Sequence, residues 1–208
     1  MRISHLTLGA FAAVLMAVSV HAAAPIKVTN TDDAGPGSLR DAMDQANATP
    51  GSDKIVFNIP GAGPHVIRPQ TNLPPITEAV DINGSSQDGI VLDGEERDPP
   101  LGFAAIVLLS DGSTVKGLEI RGFTRGVGIV GVGGASSSGN TVQNNHVHNN
   151  DKTGVDLRGF GTGVSISDNT VKDNYIHNNG GLGVAVQVDP GATASGNTVK
   201  DNHIHDNW

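Results

Sequence analysis

Five histidines crowd into residues 146–205: His146, His148, His177, His203 and His205. With Tyr175 they occupy two positions of one recurring phrase: Asn-His-Val-His-Asn, Asn-Tyr-Ile-His-Asn and Asn-His-Ile-His-Asp. Imidazoles at this density can hold a metal, relay a proton or stack against a flat ligand. A second candidate is Asp156, two residues before Arg158. A carboxylate beside an arginine can bind a sugar acid. It can also serve an elimination, in which a base removes a proton next to a carboxylate whose charge the cation neutralises.

What positions these residues follows from composition and repetition. The chain has 208 residues and no cysteine, which excludes a disulfide framework, a thiolate metal site and a cysteine nucleophile. Thirteen Lys and Arg against twenty-one Asp and Glu give −8, which argues against nucleic acid as a partner. The 28 glycines show no collagen period and accompany Val, Ile, Asn and Thr. That mixture predicts short strands and many tight turns.

A period is plain. Thr141-Val-Gln-Asn-Asn-His-Val-His-Asn-Asn150 returns from Thr170 and again from Thr198, with a weaker copy from Thr114. The steps are 27, 29 and 28 residues. Gly126-Val-Gly-Ile129, Gly154-Val-Asp-Leu157 and Gly183-Val-Ala-Val186 keep the same step, as do the junctions Ser138-Gly-Asn140, Ser167-Asp-Asn169 and Ser195-Gly-Asn197. Each period holds three apolar phrases too short for helices. Three short strands per coil, stacked on their copies about 4.8 Å apart, make a parallel solenoid. The columns agree: Val115, Val142, Val171 and Val199 align, as do Ile120, Val147, Ile176 and Ile204, and Val127, Val155 and Val184. Asn145, Asn174 and Asn202 share the inner face and are expected to form a ladder at a bend.

These phrases resemble the repeats of right-handed parallel β-helix proteins of the pectate-lyase-like architecture, over residues 76–208. The segment Val28–Met43, with Gly37-Ser-Leu-Arg-Asp-Ala42, followed by Ile55-Val-Phe-Asn-Ile-Pro-Gly61, resembles the leader of exported bacterial β-helix proteins, where Cys-Ser-Leu-Arg-Glu-Ala is usual. The expected fold is all-β: a right-handed parallel β-helix with a short N-terminal capping helix. Ser38 is a fitting N-cap, and Leu39, Ala42, Met43 and Ala46 share one face of that helix.

Residues 1–22 read as a signal peptide: Arg2, an apolar run from Leu6 to Val20, then Val20-His-Ala22 before a cleavage point. Residues 23–75 then form the cap and first strands, and 76–208 the helix proper. The last repeat stops at Asp206-Asn207-Trp208, in mid-period, so truncation at the C-terminus is expected, or end-to-end self-association through an open edge.

Alternation turns the candidate residues outward. One column runs Glu119, His146, Tyr175, His203 and the next Arg121, His148, His177, His205. Three His rungs could share a metal, but a flat sheet does not converge its side chains, so a ring ladder with no metal or cofactor is expected. Asp156, between Gly128 and Ala185, is expected in a shallow floor. The Arg-x-Pro-x-x-Arg element of pectate lyases is absent, and Asn30-Thr31-Asp32 lacks the partners that polygalacturonase-type hydrolases carry. The reading is therefore a secreted or cell-surface module that contacts extracellular polysaccharide or another surface, with no membrane span after signal cleavage. The binding face would be His146, His148, Tyr175, His177, His203 and His205. The alternative is a polysaccharide lyase, hydrolase or epimerase acting on uronate-containing chains, with Asp156 and Arg158 as catalytic residues.

Overall fold

A computed structural model describes residues 24–94 and 104–208. The signal segment expected at 1–22 lies outside the described residues. All strands that pair in register do so in parallel, and each pairs with its counterpart one coil away. Among the described residues the result is a parallel β-solenoid of about six turns with one short α-helix.

Three long sheets run along the solenoid. The first holds seven strands, from Ile26–Val28 through Asp53–Phe57, Val80–Asn83, Thr114–Lys116, Thr141–Gln143 and Thr170–Lys172 to Thr198–Lys200. The second holds six: His65–Ile67, Ile90–Asp93, Glu119–Arg121, His146–His148, Tyr175–His177 and His203–His205. The third holds Ile106–Leu108, Arg125–Gly131, Thr153–Gly159 and Val184–Val188. The junction phrases add a narrow fourth ladder of Ser137–Ser138, Ser165–Ser167 and Thr193–Ser195. The later coils are therefore four-sided where three strands were expected.

Stacked identity builds the core. Val115, Val142 and Val171 are fully buried, as are Ile120, Val147 and Ile176, and Val127 and Val155. Each column places a β-branched side chain on its copy above and below, which suits a thin interior. Fully burying one such side chain contributes about 1.5–3 kcal/mol.

The corners are held by asparagine. Three ladders run between coils: Asn140–Asn169–Asn197, Asn145–Asn174–Asn202 and Asn150–Asn179–Asn207. The geometry repeats from rung to rung. Asn174 Oδ1 accepts from the Asn145 backbone N–H at 3.0 Å and from Asn145 Nδ2 at 3.1 Å. Asn174 Nδ2 in turn donates to the Val142 carbonyl at 2.9 Å and to Asn202 Oδ1 at 2.9 Å. The ladders end on the backbone N–H groups of Ser113, Leu118 and Phe123. The residue before each rung has positive φ: Asn144, Asn149, Asp168, Asp173, Asn178, Asp201 and Asp206, with Gly139 and Gly196 at the other two. Asn and Asp tolerate this left-handed conformation better than other side chains, and it bends the chain between sheets.

The helix is Leu39–Ala48. Ser38 caps it, its hydroxyl accepting from the Asp41 N–H at 3.2 Å, and Leu39, Ala42, Met43 and Ala46 are buried in the core. Arg40 fixes the cap from outside. Its guanidinium donates to the Asp33 carboxylate (2.8 Å), the Asp33 carbonyl (3.1 Å), and the carbonyls of Thr71 (2.9 Å) and Asn72 (2.7 Å).

Candidate functional site

The outer face of the second sheet gathers the ring-bearing residues. His146 pairs in register with Tyr175 and Tyr175 with His203, while His148 pairs with His177 and His177 with His205. The inner position between them is Val147, Ile176 or Ile204, so strand alternation sends both flanking side chains outward. His148, His177 and His205 stack nearly parallel, with centroids 5.1 Å apart and planes 5° apart at each step. Tyr175 fills the middle of the other column, 5.1 Å from both His146 and His203. All six residues of the expected binding face thus form one continuous ring surface.

At its upstream end the surface is more than a ladder. His146 and His148 lie 4.2 Å apart, centroid to centroid. The Nε2 atoms of His146 and His177, diagonal across the rungs, share a hydrogen bond of 2.8 Å. Each of His146, His148 and His177 offers a nitrogen within 4.8 Å of the other two. His148 Nε2 also approaches Glu119 Oε1 at 3.4 Å. The expectation that a flat sheet keeps such nitrogens apart therefore fails, because the rings lean diagonally between rungs. Burial, then the neighbouring imidazoles, hold His146 below the usual histidine value, with Glu119 acting the other way. Burial and the rings of His148 and His205 do the same to His177. A depression of about 240 Å³ opens beside His146, lined in part by Gly89, Gly117, Glu119 and Asn144.

Further up the same face an ion cluster replaces the rings. Asp93, almost fully buried, pairs with Arg68 and Arg121, each at 3.2 Å. Arg121 also reaches Glu119 Oε1 at 3.8 Å, linking this cluster to the imidazoles.

Asp156 and Arg158 lie on a different sheet and do not join this face. Asp156 points away from the core, between the inward Val155 and Leu157, as alternation requires. The shallow floor expected around Asp156 is covered over in the structure: the residue is 0% exposed. Arg125 Nε lies 2.9 Å from Asp156 Oδ2 and Arg158 Nε lies 3.3 Å from it, so two guanidinium groups bracket the carboxylate. Arg158 extends onward to Gln187, one coil away, and its guanidinium carbon lies 5.6 Å from the Phe160 ring centre. Burial pushes the Asp156 carboxyl above its ordinary value, and Arg158 and then Arg125 oppose that push.

Arg125 is the member of this cluster that sequence reasoning missed. Counting back by alternation from the inward Val127 places Arg125 on the inner side. Gly126 breaks the count: a Cβ there would lie 2.4 Å from Val147 Cγ1 and 2.5 Å from the Gly154 carbonyl. Gly154 and Gly183 meet the same crowding from the next coil. The column stays glycine so that the chain can turn tightly between sheets, and the turn releases Arg125 to the outer face. The available signal was the recurring Gly-Val pair, which marks where alternation resets.

No helix among the described residues is long and apolar enough to cross a membrane. Over 145 residues the chain is 31% identical to a 3-dehydroshikimate dehydratase of Acinetobacter baylyi. The similarity takes in 57% of this chain and 29% of that protein, so the chain spans less than a third of that relative's length. Residues 76–208 match the family described as right handed beta helix region. That match takes in more than half of the chain and coincides with its stacked coils, and the protein therefore belongs to the right-handed β-helix family.

Proposed function

We propose that this protein is an exported β-helix module that binds extracellular polysaccharide along its second sheet. The observation that carries the reading is the unbroken surface of six rings, His146, His148, Tyr175, His177, His203 and His205, spread over three rungs. The exposed Tyr175 ring suits the apolar face of a pyranose, and the edges of the stacked imidazoles, with the phenol, suit its hydroxyls. Tyr175 is 40% exposed and lies at the centre of the surface, so it is the natural anchor. Glu119 and Asn144, beside the adjoining depression, add hydroxyl partners. The signal-like segment at 1–22 and the leader-like Gly37–Ala42 support export. The test is a glycan array of neutral and uronate polymers probed with untagged protein. Tyr175→Ala should weaken binding about three- to tenfold, the value of one stacked ring. Equal binding by wild type and Tyr175→Ala, or no bound glycan at all, overturns the reading.

A second reading is favoured by the bracketed Asp156 together with the likeness to a protein named as a dehydratase. In an elimination the Asp156 carboxylate would take a proton next to a carbonyl or carboxylate. Arg125 or Arg158 would hold the enolate that forms, and the electron pair would expel the β-oxygen as hydroxide or as a glycosidic leaving group. Full burial of Asp156 counts against it, because a base must reach its proton. A screen for unsaturated uronates and for water loss from 3-dehydroshikimate distinguishes the two. Activity that disappears in Asp156→Asn favours the enzyme, and inactivity of the wild type on both substrate types removes it.

A further inference from the structure

We infer that His146, His148 and His177, with Glu119, form a binding site for a divalent transition-metal ion of the zinc, cobalt, nickel and copper group. The site rests on ligand geometry alone, whatever else the ring surface binds. A tetrahedral ion with metal–nitrogen distances of about 2.0–2.1 Å requires its ligand atoms about 3.3–3.4 Å apart. His148 Nε2 and Glu119 Oε1 already stand at 3.4 Å. His146 and His177 Nε2 stand at 2.8 Å, so they need to separate by about half an ångström. The three imidazoles keep their ligand atoms within 4.8 Å of one another, so small ring rotations bring all of them to one centre.

The strands hold these side chains in place. His146 and His148 flank the buried Val147 on one strand, and His177 lies in register with His148 on the next. His148 is itself only 8% exposed. The parallel stack of His177 on His205 and the tilted contact of His146 with Tyr175 support the rings from the downstream side. Three neutral nitrogens and one carboxylate oxygen are the donors that zinc-type ions prefer, whereas calcium and magnesium demand oxygen shells. The opposing charge is Arg121, whose Nη1 lies 3.8 Å from Glu119 Oε1. Arg121 also pairs with Asp93, which can retain it when Glu119 turns to the ion.

The test uses the untagged full chain, stripped with a chelator and titrated with cobalt(II) in the absence of carbohydrate. The expected result is one equivalent bound, with the intense visible bands of a tetrahedral cobalt centre, displaced by zinc. His148→Ala should weaken binding about 100-fold or more, through loss of one ligand from the centre. Lys200→Ala, on the first sheet and outside the site, should bind as wild type. A measurement on the unmodified chain guards against a variant that fails to fold. Zinc should move the imidazole nitrogen resonances of His146, His148 and His177 and leave those of His203 and His205 in place. Absence of cobalt bands at millimolar metal, equal affinity in the two variants, or resonance changes confined to His203 and His205 would each overturn the site.

Discussion

Asp156 illustrates how one side chain can be costly in one state and costly to remove. Its carboxylate is buried between Arg125 and Arg158, of which Arg125 is itself mostly covered. Asp156→Ala leaves these cations facing each other without a counter-charge. The expected destabilisation is about 2–4 kcal/mol, at the low end for a broken buried pair because Arg158 can turn to solvent. Urea unfolding at neutral pH measures it. The pH dependence has a definite sign. The folded state raises the Asp156 carboxyl above its ordinary 3.8, so it holds that proton more tightly than the unfolded chain does. The stability tied to the proton is present below 3.8 and is lost as pH rises through the elevated value. Asp156→Asn, neutral throughout, should therefore gain on wild type as pH rises across that window. A constant difference between the two over that range would show that burial does not shift the group.

At the scale of the element, the Asn corner is the unit that repeats. Asn174 is 2% exposed and its side chain makes four ladder hydrogen bonds, so Asn174→Ala strands the Asn145 N–H and the Val142 carbonyl inside the solenoid. The expected cost is about 2–4 kcal/mol. Asn202→Ala, on the half-buried last rung, should cost about half as much, since water can replace what is lost. Equal costs in the two variants would mean that the ladder acts as a surface network. These corners also explain what could be read from the sequence. The strand columns were legible because identical Val and Ile residues recur at fixed steps, and inside a strand alternation decides which way each points. One ladder, Asn145–Asn174–Asn202, was legible as well, since it sits two residues from an inward column. The Asn140–Asn169–Asn197 ladder also sits two residues before an inward column, Val142–Val171–Val199, and was equally countable, whereas Asn150, Asn179 and Asn207 lie beyond the left-handed Asn149, Asn178 and Asp206, across which facing cannot be counted. The inward Gly126 hides Arg125 in the same way, and through it the burial of Asp156. Convergence of His146 with His177 depends on ring rotations that no periodicity encodes.

Over the whole molecule, stability is a chain of neighbour contacts, each coil bound mainly to the one before and after it. Protection should therefore be graded. Val171 and Ile176 are fully covered, whereas Val199 and Ile204, one coil on, are 45% and 42% exposed. Val186 and Val188 on the third sheet are likewise open. Hydrogen exchange should be fastest in Thr198–Lys200 and His203–His205 and slowest around Val115 and Ile120, with intermediate rates between. A single rate shared by every strand would mean that the solenoid opens only as a whole. At the opposite end Arg40 ties the capping helix to Asp33, Thr71 and Asn72, which should keep the first coil from opening early.

One rung of the third ladder carries a chemical clock. Asn179 is followed by Gly180, and in a loose chain the Gly nitrogen attacks the Asn side-chain carbonyl, closing a succinimide that opens to aspartate or isoaspartate. Asparagine is thermolabile for this reason. Here the reacting partners are immobilised. Asn179 Oδ1 is held by the Asn150 N–H and amide, and the Gly180 N–H donates to the Asn150 carbonyl at 2.8 Å. Ring closure must wait for the coil to open, so this covalent damage records time spent unfolded rather than age. Once formed, an aspartate would place a negative charge where a 0%-exposed amide had bridged three coils. The coil that opened would then be unable to close as it was, and a passing fluctuation would become a permanent scar.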